Sequence, residues 1–322
     1  MTEFDVVGVG NAIVDVISIV DEEFIAEHDL AKGAMSLIDA ERAAKLYEAM
    51  PAGIEASGGS AANTMAGIAS FGGRAAYIGK VRDDQLGEVF RHDIRATGVS
   101  YAVPFATEGP PTARCLIQVT PDAQRTLNTF LGVSSLLAPV DVDENLVASA
   151  KVVYCEGYLW DVDIAKHAIR KAMDAGKATG AKTALTLSDA FCVDRHRDEW
   201  LELIESRVDI VFANETEICA LYQCDWDTAA DKIAGHVEIA CLTRSEKGSV
   251  IVTPDERVVV QPHPCEHLVD TTGAGDLYAS GFLYGHARGL DLATCGRLAS
   301  LAAAEIIGHV GARPAVALRT LL

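Results

Sequence analysis

Asp270-Thr271-Thr272-Gly273-Ala274-Gly275-Asp276 runs directly into the apolar stretch Leu277-Tyr278-Ala279-Ser280-Gly281-Phe282-Leu283-Tyr284. Two glycines ahead of a helical pattern leave bare backbone N–H groups at a helix start. There the first-turn donors and the positive end of the dipole favour an anion. The stretch therefore reads as a phosphate seat with the Asp276 carboxylate at its lip. A carboxylate beside an anion site is out of place unless it handles a proton or a metal. A plain helix cap is the structural alternative, since Asp is a favoured capping residue.

Working upstream, the chain alternates regularly from Lys151 onward. Strand-like Lys151–Cys155, helical Asp163–Ala175, strand-like Lys182–Leu187, a helix near Arg197–Ser206 and strand-like Val208–Ala213 make a βαβαβ series. That order implies a parallel sheet covered by helices, with ligands gathered beyond the carboxyl ends of its strands. Asn214-Glu215-Thr216-Glu217 falls at such an end. Asn214 and Glu217 are three apart at a helix start and share a face, so they can order water around Mg²⁺. An acidic first turn is equally good helix chemistry. Strands follow at Glu238–Thr243, Ser249–Val252 and Arg257–Gln261, and Asp291–Gly308 reads as a second long helix behind the phosphate seat.

At the other end, Phe4-Asp5-Val6-Val7-Gly8-Val9-Gly10 reads as a buried strand entering a turn at Asn11-Ala12-Ile13-Val14-Asp15. The Gly8-x-Gly10 pair is no dinucleotide fingerprint, because a third glycine is missing and a strand-like alternation follows. Asn11 and Asp15 are polar groups able to meet substrate hydroxyls, with an Asx turn as the alternative. Gly58-Gly59 before the small-residue helix starting Ser60-Ala61-Ala62-Asn63 is a hinge candidate, or a turn capped by Ser60. Asp83-Asp84 reads as a solvated turn. Residues 16–57 hold short strand-like runs and one helix from Asp39 to Met50. Residues 99–130 are β-branched and proline-punctuated, and their Arg114 and Arg125 read as surface residues able to meet a phosphate on closure.

A chain of 322 residues with 49% hydrophobic content can bury a large core. Its net charge of −19 argues against binding a nucleic-acid backbone. Eight scattered cysteines without a C-x-x-C pair point to buried free thiols in a reducing cytoplasm. Neither a signal peptide nor an apolar run of about 18 residues is present, so a cytoplasmic protein with no membrane contact is expected. Walker, H-E-x-x-H and G-x-S-x-G patterns are missing, and no histidine is assigned to a metal.

Asp-Thr-x-Gly-Ala-Gly-Asp followed by a glycine-containing helix resembles the signature of the ribokinase-like (PfkB-type) carbohydrate and nucleoside kinases. Gly-Gly-Ser-x-x-Asn followed by Gly79-x-Val81-x-x-Asp84-x-x-Gly87 resembles that family's other signature, with Arg82 where a small glycine is frequent. The opening Gly-Asn-Ala-Ile-Val-Asp, the run Thr186-Leu187-Ser188-Asp189-Ala190-Phe191 and Asn214-x-x-Glu217 are most similar to the adenosine-phosphorylating branch. The resemblance implies a three-layer α/β/α domain with a mostly parallel sheet, formed by residues 1–14, 58–98 and 131–322. A small β-rich lid would come from residues 15–57 and 99–130.

It further implies γ-phosphoryl transfer from ATP to the 5′-hydroxyl of adenosine. Asp276 would be the base, and Gly273, Ala274 and Gly275 would line the anion hole. Asn11, Asp15, Gly59, Ser60 and Asn63 would hold the acceptor. Asn214, Glu217, Thr243, Gly248 and Gly311 would lie along the nucleotide, with Mg²⁺ held through water by Asn214 and Glu217. Asp270, Thr272 and backbone near Gly311 would hold a monovalent cation such as K⁺, although Gly311 is also a helix stop before Pro314. Many relatives carry glycine where Ser245 stands, which leaves that loop's nucleotide contacts open. Ile13, Leu127, Tyr158, Trp160 and Phe191 are candidate walls for a purine. A ribose or fructose kinase and a non-catalytic binding protein on the same fold remain as alternatives, and monomer and homodimer are both open.

Overall fold

The computed structural model describes residues 2–122 and 124–322. Strands are β1 (Phe4–Val9), β2 (Ile13–Ile19), β3 (Met35–Leu37), β4 (Ile54–Gly58), β5 (Ala75–Ile78), β6 (Ser100–Tyr101), β7 (Ala113–Val119) and β8 (Arg125–Phe130). They continue as β9 (Ala150–Glu156), β10 (Lys182–Thr186), β11 (Ile210–Asn214), β12 (Ile239–Thr243), β13 (Ser249–Val252) and β14 (Arg257–Val260). Helices are α1 (Glu22–Glu27), α2 (Ala40–Ala49), α3 (Ser60–Ser70), α4 (Gln85–Ala96), α5 (Glu144–Ala148) and α6 (Asp163–Ala178). The rest are α7 (Ala190–Arg207), α8 (Glu215–Tyr222), α9 (Trp226–Ala234), α10 (Ala274–His286) and α11 (Leu292–Ile306).

Among the described residues, one nine-stranded sheet has the order β14-β13-β12-β11-β10-β9-β1-β5-β6. It is parallel except for the β12-β13-β14 edge. Its central strands are almost wholly buried, as a sheet covered on both faces requires. One face packs α6, α7, α8 and α9 through Ile169, Trp200, Ile218 and Ile233. The other packs α3, α4, α10 and α11 through Met65, Phe90, Phe282 and Ala299. This is the three-layer ribokinase-like architecture. β1 lies between β9 and β5, so the crossovers leave it in opposite directions. A crevice opens at the carboxyl ends beside such a switch point.

A second, five-stranded sheet of order β3-β8-β7-β2-β4 stands over that crevice. Strand alternation decides its two faces. Ile13 and Asp15 of β2, Cys115 and Ile117 of β7, and Leu127 and Thr129 of β8 all line the crevice. Register aligns Asp15 with Cys115 and Cys115 with Thr129. Behind the sheet α2 buries Ala43 and Leu46, and Asp39 caps it by accepting from Arg42 N–H at 2.8 Å.

Several details differ from the sequence reading. β6 falls in the second stretch assigned to the lid, yet it pairs with β5 at the edge of the large sheet. Ile13 and Val14, assigned to the main domain, begin a lid strand. The short helix α1, capped by Asp21, is too brief for periodicity to reveal. α7 starts earlier than expected, at Ala190, with a break at His196. Asp84 is no solvated turn: it accepts from Gly87 N–H at 2.8 Å and from Thr112 N–H and Oγ1 at 2.8 and 2.6 Å, tying α4 to the start of β7. The cysteines are unpaired, but Cys265 is exposed rather than buried.

Candidate active site

The crevice is a cleft of about 570 Å³ between the two sheets. Asp276 projects into it from the first turn of α10. That turn is set by Gly273, whose φ of +78° lies in the left-handed region that favours glycine. The Ala274 N–H donates to Thr271 O at 3.2 Å and closes the turn. Ala274 lines the cleft, with its own N–H engaged inside the turn. Among the described residues, the N–H groups of Gly273, Gly275 and Asp276 have no protein acceptor.

The Asp276 carboxylate is held from α3. Ser60 Oγ donates to Oδ1 at 2.6 Å and Asn63 Nδ2 to Oδ2 at 3.0 Å. Ser60 is therefore no cap; the cap position belongs to Gly59. A side chain on Gly59 would lie 2.1 Å from Asn11 O, and its φ is +99°, so only glycine carries the chain from β4 into α3 here. Burial raises the Asp276 pKa to about 6, against the two hydrogen bonds and the positive charge of Arg313. Asp15, on the opposite wall, is also raised to about 6 by burial, opposed by Arg313 and Arg125 and reinforced by Asp276.

Asn11 lines the cleft, but its polar atoms are spoken for. Its N–H and Nδ2 donate to Glu156 Oε1 at 2.7 and 2.8 Å, and its Oδ1 accepts from Ser134 Oγ at 2.9 Å. Glu156 ends β9, is 0% exposed, and also accepts from Ala61 N–H at 2.8 Å. Burial pushes its pKa up to about 7. Sequence reading missed Glu156; a carboxylate ending a buried parallel strand, where ligands collect, was the available signal.

Farther along, Asn214 and Glu217 form a reciprocal capping box. Asn214 Oδ1 accepts from Glu217 N–H at 2.9 Å, while Glu217 accepts from Asn214 N–H at 2.9 Å and Nδ2 at 2.6 Å. Burial raises Glu217 to about 7. Each side-chain oxygen is already bonded once, which suits water-mediated contact with a cation better than direct ligation. Thr243, level with Asn214 on the next strand, also lines the cleft. Gly248 does not; it closes the turn into β13. Gly311 lies outside the lining too, and its N–H donates to Asp270 Oδ2 at 3.1 Å.

Asp270, Thr272 and Gly311 are thus brought together, with Asp270 Oδ1 accepting from Thr272 N–H and Oγ1 at 3.0 and 2.8 Å. The cation they meet is Arg125 of β8, 2.8 Å from Asp270 Oδ2, with both side chains only 8% exposed. Arg125 is therefore a buried tie between lid and phosphate turn rather than a surface residue. Arg114 lies over the Tyr47 ring on the lid. Of the candidate purine walls, Ile13, Leu127, Tyr158 and Phe191 line the cleft. Trp160 does not: it is fully buried against Trp200. Among the described residues no cluster of three metal-ligating side chains occurs, and no helix is long and apolar enough to cross a membrane.

A glycine turn with N–H groups lacking acceptors among the described residues, a carboxylate at its lip and a second sheet over the carboxyl ends of a parallel sheet together suit phosphoryl transfer to an alcohol. The sequence pattern of the pfkB family of carbohydrate kinases matches residues 37–318, and the chain belongs to that family. Its structure is similar to that of adenosine kinase from Sinorhizobium meliloti, at 53% identity and a TM-score of 0.92, covering 99% of this chain and 98% of that one. It is also similar to a probable sugar kinase protein from Rhizobium etli CFN 42, at 51% identity and a TM-score of 0.93 over 100% and 98% of the two chains. Adenosine kinase 1 of Arabidopsis thaliana is 26% identical over 337 residues, 96% of each chain. The chain is an adenosine-kinase-like member of the family.

Proposed function

We propose that the protein transfers the γ-phosphoryl group of ATP to the 5′-hydroxyl of adenosine, giving AMP and ADP. The observation that carries this reading is Asp276, held by Ser60 and Asn63 in the same turn as N–H groups with no acceptor among the described residues. An alcohol is a weak nucleophile at neutral pH, so a carboxylate must take its proton as the new P–O bond forms. With a pKa near 6, Asp276 is ionised at neutral pH and remains basic enough to accept it. The Gly273, Gly275 and Asp276 N–H groups would face the charge on the migrating phosphoryl.

Asp15 and Asn63 would meet the ribose hydroxyls, the Asn63 Oδ1 being a buried acceptor with no partner among the described residues. Asn11 and Gly59 would shape that end, since the Asn11 side chain is bonded to Glu156 and Ser134. Ile13, Leu127, Tyr158 and Phe191 offer flat apolar walls to a purine. ATP would lie along Asn214, Glu217 and Thr243. Mg²⁺ bound with it would neutralise phosphate charge, with Asn214 and Glu217 ordering its water shell. Beside Asp270, Thr272 and Gly311 a monovalent cation would share the site with the Arg125 guanidinium.

The likeness to the Rhizobium etli protein favours a second reading, a sugar kinase. ADP formation measured with adenosine, inosine, ribose and fructose separates the two. Adenosine should give the highest kcat/KM; a higher value with ribose or fructose overturns the nucleoside assignment.

A further inference from the structure

The loop after α11 braces both halves of the catalytic end. Gly311 N–H bonds Asp270 in the phosphate turn, and Ala312 lies against Gly273. Arg313 reaches the other way. Its Nη2 and Nε donate to Ser57 O at 2.9 and 3.2 Å, Nη2 to Ser57 Oγ at 3.0 Å, and Nη1 to Ala62 O at 2.8 Å. Ser57 is pinned in turn by Asp93 of α4, which accepts from its N–H at 2.7 Å and its Oγ at 2.6 Å. The guanidinium therefore grips the chain on both sides of Gly58-Gly59 and Ser60. Asp276 comes from α10 while its two donors come from α3; Gly311 and Ala312 touch the turn before α10, and the Arg313 side chain next to them holds the start of α3.

We propose that Arg313 is a positioning residue for phosphoryl transfer: it clamps the start of α3 so that Ser60 and Asn63 meet Asp276, and it places a fixed positive charge behind Asp15 and Asp276. The inference rests on Asp276 being the base. The planar fork suits the role, since several fixed donors can hold two carbonyls and a hydroxyl at once where an ammonium cannot.

The charge has work to do. The groups facing Asp276 are Ser60 and Asn63 from α3, Asp15 from β2, Tyr154 and Glu156 from β9, Tyr158 beyond β9, and Arg313. Among them Arg313 is the cation. Burial favours the protonated form of both Asp15 and Asp276, and Arg313 opposes it at each. Losing that charge shifts the Asp276 pKa upward, so activity should be lost at a higher pH as the solution is acidified.

The test compares Arg313→Gln and Arg313→Lys with wild type by pH profiles of kcat/KM, by kcat and KM at pH 8.5, and by thermal melts. In Arg313→Gln the acid limb should move up about half a pH unit, so the ratio of kcat/KM at pH 6 to that at pH 8.5 falls about twofold below the wild-type ratio. Arg313→Lys keeps the charge but loses the fork. Its limb should stay in place while kcat falls about fivefold and the KM for adenosine changes less. An unmoved limb in Arg313→Gln, or wild-type kcat in Arg313→Lys, overturns the proposal. If Arg313→Gln does not fold, the kcat of Arg313→Lys decides. Asp276→Asn run alongside keeps the two ideas apart: near-wild-type turnover there removes the base and this proposal with it, whereas an unmoved Arg313→Gln limb in an Asp276-dependent enzyme removes this proposal alone.

Discussion

The two ends of the cleft are built differently. At the end proposed to hold the acceptor, Asp276, Asp15 and Glu156 are carboxylates with raised pKa values, each facing groups from several chain segments. The hydrogen-bond partners of Glu156 and Asp276 lie 95 to 216 residues away, from Glu156 with Ala61 to Asp276 with Ser60. At the end proposed to hold the phosphate donor, Asn214 and Glu217 satisfy each other within one turn of helix. If the proposed roles hold, an acceptor site tied together from distant segments is held in place for proton transfer to a placed carboxylate. A donor site built on a local cap would supply a rigid edge and leave the phosphates to meet water, metal and backbone.

That contrast can be broken most severely at Asp276. Asp276→Asn should lower kcat by about 10²- to 10⁴-fold, the range expected for losing a general base, while calorimetry shows adenosine still bound. Gly59→Ala comes next. Its Cβ meets the Asn11 carbonyl and its φ is unfavourable, so a stability loss of at least about 2 kcal/mol is expected in denaturant melts, with the acceptor end loosened. On the other side, Glu217→Gln puts an amide where Asn214 donates. It should cost about 1 kcal/mol and raise the KM for ATP several-fold, with the KM for adenosine unchanged. The smallest effect belongs to Ser245→Gly. Ser245 sits at φ +50°, and glycine there should raise stability by less than about 1 kcal/mol without altering kcat.

What the sequence showed and hid follows the same division. The phosphate turn, the Gly58-Gly59 start of α3 and the Asn214–Glu217 cap are local patterns, readable because neighbours in sequence make the contacts. The parallel sheet was legible because buried strands alternate with amphipathic helices from Lys151 onward. Glu156 and Arg313 were not recognised, and Arg125 reads from sequence as a surface residue, since a lone charged residue in a run carries no mark of a partner far along the chain. Trp160 was misplaced for a related reason: an aromatic just past a strand end fits a cleft wall or a core equally well, and only packing against Trp200 decides. The second lid boundary was placed too early because a two-residue strand such as β6 leaves no period to read.

The kcat/KM for adenosine measured from pH 5 to 9 in wild type, with the residual activity of Asp276→Asn over the same range, bears most directly on the role of Asp276. Its pKa near 6 is above the usual carboxylate value, and the proposed role as base requires the ionised form. Activity should therefore be full above about pH 7 and fall as pH drops through 6, and this limb should vanish in the variant. A limb that persists at the same pH in Asp276→Asn would assign the titration to another group, such as Glu156 or Glu217, and contradict the role given to Asp276.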